Sequence, residues 1–153
     1  MVKTARNSVA NEARQLTDAV TQLRRVLRAG IRADIAWEAL PMAQVELMQS
    51  LADASPLRVL DLADRLHLAQ STVSGLISQM LTSGLVRRDV DPIDRRAAVV
   101  TLSEEGRAQL SAWERAHVRW IGSALARLDP ADRDAVVGAI PALRRLTGAL
   151  SEV

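Results

Sequence analysis

The side chains best suited to meeting an outside partner are arginines, and they are placed rather than spread. Lys3 is the only lysine among twenty basic residues, and eighteen acidic residues leave a net charge of +2. With no Tyr and no Cys, little can release a proton between about pH 7 and 12. The formal isoelectric point is therefore high without a strong positive field, and general coating of polyanions is not implied. Arginine acts by placement, because its planar fork grips phosphate or guanine in a fixed geometry. Arg95 and Arg96 end the run "DPIDRR" at 91–96, between segments 86–90 and 97–102 that are β-branched enough to pair as strands. Asp-Pro suits the turn, and Asp91 and Asp94 can accept from its amides and hold the arginines extended. Such a tip is either an ordinary solvated turn or a probe for something anionic. Arg87 and Arg88, on the first strand, are as well explained by solvation as by steering of phosphate.

The stretch before this ribbon decides between the two. Leu60, Ala63 and Leu66 fall on one face of a short helix, and "HLAQ" at 67–70 makes a tight turn. A second helix over 70–83 turns Val73, Leu76, Ile77 and Met80 inward, and Gly84 stands where a helix C′ glycine belongs. Helices joined by so short a turn cross steeply, as in a helix-turn-helix. The outward residues of the second helix are Gln70, Ser71, Thr72, Ser74, Gly75, Ser78 and Gln79, without one charge. A solvated face normally carries Lys and Glu. Short hydroxyls and amides suit close approach to base edges and phosphates. A helix-turn-helix followed directly by a hairpin is a winged helix. Its second helix would enter the major groove and its wing would lie along the adjacent minor groove, whose negative potential draws arginine.

The remaining chain supplies a frame. Val9, Ala13, Leu16, Val20, Leu23 and Leu27 repeat at 4, 3, 4, 3, 4. This a/d seam can pack on its own domain or meet a partner subunit, with equal weight. Gly30 is a weak point, and a helix from Met42 to Leu51 carries Val45, Met48 and Leu51 on one side. Ser103 caps a helix of about 24 residues, with Glu104 and Glu105 near the positive end of its dipole. Asp129-Pro130 opens a last helix striped by Val136, Ile140, Leu143 and Leu150. Pro141 removes its hydrogen bond to Val137 and should kink or split it.

Composition excludes several classes. Without cysteine there are no disulfides, thiolate metal sites or thiol switches. His67 and His117 are too few for a metal cluster, and no nucleophile motif or phosphate loop is present. No enzyme and no cofactor is expected. No apolar run approaches the ~20 residues of a membrane span, and no signal-peptide pattern opens the chain, so a soluble, cytoplasmic protein is expected. The fold class is mostly α with a small β-wing.

The region from Pro41 to Gly106 resembles the MarR family of bacterial winged-helix repressors, on the residues "LRVLDLADRLHLAQSTVSGLISQMLTSGLVRRDVDPIDRRAAVVTLSEEG". The specific marks are Asp94-x-Arg96, Leu102-Ser103-x-x-Gly106 and Gly84-Leu85-Val86. The order of helices extends the resemblance over nearly the whole chain. Two positions depart from it. His67 stands where the family has a turn glycine, and Ala69 stands where it has a Ser or Thr cap, so that Ser71 would cap instead.

The resemblance implies one domain in two parts. Residues 41–103 form a lobe that binds double-stranded DNA, while 1–40 and 104–153 form a helical dimerisation region. It implies a homodimer, a pseudo-palindromic operator with half-sites about 34 Å apart, and repression. It casts Arg96 as a minor-groove contact, Arg95 as a groove or phosphate contact, and Asp94 as an orienting residue. It also implies a crevice for a small aromatic acid. Trp113, His117 and Trp120 share one helix face, with Trp37 and Met48 near enough in sequence to join them. Helical spacing alone produces such stripes, and His117 bonded to a backbone carbonyl is the simpler reading. The alternative function is a winged helix that binds protein, which would expose an apolar patch on the second helix.

Overall fold

A computed structural model describes residues 2–33, 40–91 and 93–151. The chain divides into two compact units, Met1–Met42 and Ala43–Val153.

The first unit is a single helix, α1, Val2–Ala33, which runs through Gly30 without a break. Val9, Leu16, Val20, Leu23 and Val26 are exposed on it, Ala13 also, and Leu27 is half-buried. The heptad seam is therefore real as a helical stripe, and among the described residues of this unit nothing covers most of it.

The second unit holds α2 (Met42–Asp53), β1 (Leu57–Arg58), α3 (Val59–Leu66), α4 (Gln70–Thr82), β2 (Val86–Val90), β3 (Ala98–Leu102), α5 (Glu104–Leu125) and α6 (Pro130–Ser151). Its core is aliphatic. Leu47, Met48 and Leu51 of α2 are buried with Leu62 of α3, Val73 and Met80 of α4, and Val100 and Leu102 of β3. Each such leucine contributes roughly 1.5–3 kcal/mol on burial. The antiparallel sheet has the order β1-β3-β2. Val86 pairs with Leu102 and Val90 with Ala98, while Leu57 and Arg58 pair with Val100 and Val99. The hairpin was legible in the sequence, whereas the two-residue third strand was not.

Three local expectations are corrected. In α3 the buried residues are Leu62 and Ala63, and Leu60 is 57% exposed. Pairing of β1 with β3 fixes the entry of α3, and that rotates the helix away from the assumed face. In α4 the N-cap is Ala69, in extended backbone and with no side-chain cap, so the helix begins at Gln70 and Ser71 lies in its first turn. And of the kink or split expected at Pro141, the split does not occur, since α6 is one helix through it.

Two turns define the lobe. His67 caps α3 at φ 51°, ψ 41°, in the left-handed region, and its N–H meets the carbonyls of Ala63 and Asp64. At the end of α4, Gly84 (φ 70°) donates to Leu81 O at 3.1 Å and Leu85 N donates to Met80 O at 2.8 Å. That pair of bonds is a Schellman motif, which needs glycine at its left-handed position. Just beyond, Ser103 Oγ donates to Gly84 O at 2.6 Å and accepts from Gly106 N at 2.9 Å. Ser103 N donates to Leu85 O at 3.1 Å. A Cβ on Gly106 would overlap the Leu85 carbonyl and meet Leu102 Cδ2 at 3.2 Å.

Opposite stability effects follow at two positions. Gly106→Ala should cost about 3 kcal/mol, because the obstacle is backbone that cannot step aside. His67→Gly should stabilise by roughly 0.5–1 kcal/mol, since relief of the left-handed strain exceeds the added unfolded-state entropy. Urea unfolding of both variants checks the signs.

Candidate nucleic-acid interface

In α4 the inward line is Val73, Ile77 and Met80, with Leu76 half-buried. On the opposite side Ser71, Gly75, Ser78 and Thr82 form one exposed row, flanked by Gln70, Thr72, Ser74 and Gln79, also exposed. The two halves of this face differ in what their polar atoms do. Ser78 donates to Ser74 O at 2.9 Å and Thr82 to Ser78 O at 3.0 Å, so both hydroxyl protons are turned back on the helix. Gln79 is engaged sideways, where Gln44 of α2 reaches its Oε1 at 3.4 Å. Among the described residues no side-chain partner is present for the Ser71, Thr72 and Ser74 hydroxyls. The first two turns of α4 thus keep free donors and acceptors at the helix end that reads bases in a helix-turn-helix. Thr82 was missed in the sequence, although it lies four residues beyond Ser78 in the same row.

The wing tip is held by two carboxylates. Asp91 is only 6% exposed. Its Oδ1 accepts from Ile93 N at 2.7 Å and Asp94 N at 3.2 Å, and its backbone N–H donates to Ala97 O at 3.0 Å. Its Oδ2 takes two donors of Arg58, Nε at 2.7 Å and Nη2 at 2.6 Å. Asp94 Oδ1 accepts from Arg96 N at 3.0 Å, so it shapes the turn through the arginine's backbone rather than its side chain. Arg95 and Arg96 are exposed, as are Arg87 and Arg88 on β2. Among the described residues the one ion pair is Arg58–Asp91, so none of these four guanidinium groups is held by a carboxylate there. Ile93, at the tip, is 93% exposed.

The residues considered for a small-molecule crevice are placed differently from one another. Met48 is fully buried in the lobe core, and Trp37 lies outside the described residues. Trp113, His117 and Trp120 are half-buried on α5. The Trp113 and His117 rings stack at 3.7 Å between centroids, and His117 Nδ1–H donates to Trp113 O at 3.1 Å. A carbonyl only accepts, so Nδ1 carries the proton and Nε2 is left open. Val136, Ile140, Leu143 and Leu150 are exposed along α6, none of whose residues is buried.

Helix-turn-helix and hairpin define a winged-helix lobe, followed in the chain by the long helices α5 and α6. Comparison with known proteins narrows this. The family model described as MarR family matches residues 40–98. The chain is 27% identical over 142 residues to the HTH-type transcriptional regulator YfiV of Bacillus subtilis, covering 91% of this chain and 87% of that protein. A solved transcriptional regulator of Pseudomonas aeruginosa superposes with a TM-score of 0.75 at 26% identity, over 93% of this chain and 96% of its own. BpsR of Bordetella bronchiseptica, whose DNA binding is regulated by 6-hydroxynicotinic acid, superposes with a TM-score of 0.58 at 26% identity, over 83% and 98%. The MarR match takes in α2 to the wing loop, and the likeness to transcriptional regulators extends over nearly the whole chain. Among the described residues no helix is long and apolar enough to cross a membrane.

The Asp91 carboxyl is held below the ordinary aspartate range, first by the Ile93 amide and then by Arg58, with burial opposing them. Its folded value is thus below its unfolded one. Ionised Asp91 therefore stabilises the wing root above about pH 4 and loses that contribution as pH falls through the lowered folded value. Carboxyl NMR titration should place its midpoint below the ordinary value of about 3.9. A midpoint at or above that value would contradict the geometry.

Proposed function

We propose that the protein binds double-stranded DNA as a homodimer at a pseudo-palindromic operator, acts as a repressor, and is released by a small aromatic acid. The observation that carries DNA binding is the pairing of two surfaces. One is a loop locked by carboxylate–amide bonds that carries Arg95 and Arg96, neither in an ion pair among the described residues. The other is a helix face without any charge. The first surface fits the negative minor groove, and the second fits the polar edges of bases in the major groove. A protein-binding winged helix would need an apolar patch on the outward face of α4, and that face is Ser, Thr, Gln and Gly.

The pairing of subunits rests on α6. It buries none of its residues, yet exposes Val136, Val137, Ile140, Leu143, Leu146 and Leu150. A helix with an apolar stripe and no packing gains little from propensity alone, so such a stripe calls for a partner. The exposed apolar residues of α1 make the same demand separately. A second copy meets both demands with two-fold symmetry, which then appears in the operator.

Effector release rests on likeness to BpsR and on the Trp113, His117 and Trp120 face, where Nε2 of His117 can meet a ligand. Such a ligand would act by favouring lobe spacings that do not fit the operator.

Sedimentation should give twice the chain mass at micromolar concentration. Arg96→Ala should lose about 1–3 kcal/mol of affinity for a selected duplex and lower the salt slope by about one, with the circular dichroism spectrum unchanged. Affinity equal to the parent's would count against the wing.

A further inference from the structure

Arg58 occupies the N-cap of α3, a place that usually holds a hydroxyl or carboxamide. Its backbone N–H is satisfied by Asp61 Oδ2 at 3.1 Å, and its side chain leaves the helix altogether. It crosses to Asp91, 33 residues away, and meets one carboxylate oxygen with both Nε and Nη2. The other oxygen of that carboxylate closes the wing loop through the amides of Ile93 and Asp94. One side chain at the start of the helix-turn-helix is thereby tied, through one nearly buried carboxylate, to the loop that carries Arg95 and Arg96.

The tie is not needed to complete the lobe's core, which is aliphatic and contains no other ion pair among the described residues. A carboxylate taken out of water is costly and is balanced only by good geometry. Nor is Arg58 arranged as a phosphate contact, since Asp91 cancels its charge at 2.6 Å. What the pair does supply is orientation. The tip is carried by the five-pair β2–β3 ladder, but the hairpin's strand link to the start of α3 is the β1–β3 ladder of only two pairs, Leu57 with Val100 and Arg58 with Val99. The ion pair adds a restraint at the root of the tip itself.

We propose that Arg58 is a positioning residue for DNA binding, fixing the wing-tip arginines at a set offset from the reading helix so that the two act as one rigid reader. This rests on the DNA-binding reading above. The pair needs no contact with DNA, and its effect passes through Arg95 and Arg96.

Binding to a duplex selected from random DNA by the parent protein tests it, with Arg58→Ala, Asp91→Asn and the Arg96→Ala background. Asp91→Asn keeps a side-chain oxygen for the turn amides and replaces the oxygen that accepts from Arg58 with an NH2 that cannot accept. Each single change should weaken binding about tenfold, the lower end for loss of a direct groove contact. The double change should be no worse than either single one. Neither should add appreciably to Arg96→Ala, because all three act through the wing. Parent-like affinity in both single variants overturns the proposal. So does stronger binding by Asp91→Asn, which would make Arg58 itself a phosphate contact released by the change. Full additivity with Arg96→Ala overturns it too, by assigning the loss to a general defect. If the parent selects no duplex at all, the DNA reading falls and the proposal falls with it, a result distinct from any of the variant outcomes.

Discussion

The hydrogen bonds around Ser103 hold the lobe together. One side chain, itself buried, donates to the Gly84 carbonyl just past α4 and accepts from the Gly106 amide in the first turn of α5, while its backbone N–H donates to the next carbonyl, Leu85 O. Those bonds join the reading helix, the root of β2 and the start of α5 within four residues of chain. Gly106 is the steric condition for them, because any side chain there would occupy the Leu85 carbonyl. Buried polar groups are expensive unless satisfied, and here each one named is. The direction in which α4 leaves the lobe and the direction in which the hairpin leaves it are therefore set at one point.

From that point α4 and the hairpin diverge, and Arg58–Asp91 ties the start of α3 to the far end of the hairpin. Two ties at opposite ends of the hairpin make a stiffer arrangement than either alone. Stiffness matters for a groove reader, since a side chain already held in its bound pose loses less entropy on binding. The helices α1 and α6, each considered by itself, show the opposite condition. Their large apolar residues are mostly exposed, where the lobe's are mostly buried. The chain is thus finished where it would read and unfinished where it would pair.

The features legible in the sequence were those with a local signature. The Ser103 cap, the Gly84 turn and the 3.6-residue spacing of Val73, Ile77 and Met80 each act within one turn of helix, so residue types alone define them. β1 was hidden because two residues have no period. The inner face of α3 was misassigned because Leu60, Leu62, Ala63 and Leu66 fit two faces of so short a helix, and the choice is made by strand pairing elsewhere. Arg58–Asp91 was invisible for a related reason, since neither residue's neighbours point to the other across 33 positions. Met48 shows the limit of apolar spacing, which marks a side chain as inward without separating core from crevice wall.

Hydroxyl-radical footprinting on a duplex selected from random DNA tests the central claim most directly, that α4 and the wing address neighbouring grooves as one unit and do so twice by symmetry. Two minor-groove tracts should be protected symmetrically about a dyad, each beside a major-groove segment sensitive to guanine methylation, with half-sites about 34 Å apart. A bound duplex with one unsymmetric tract, or with major-groove contacts and no minor-groove protection, would contradict the account.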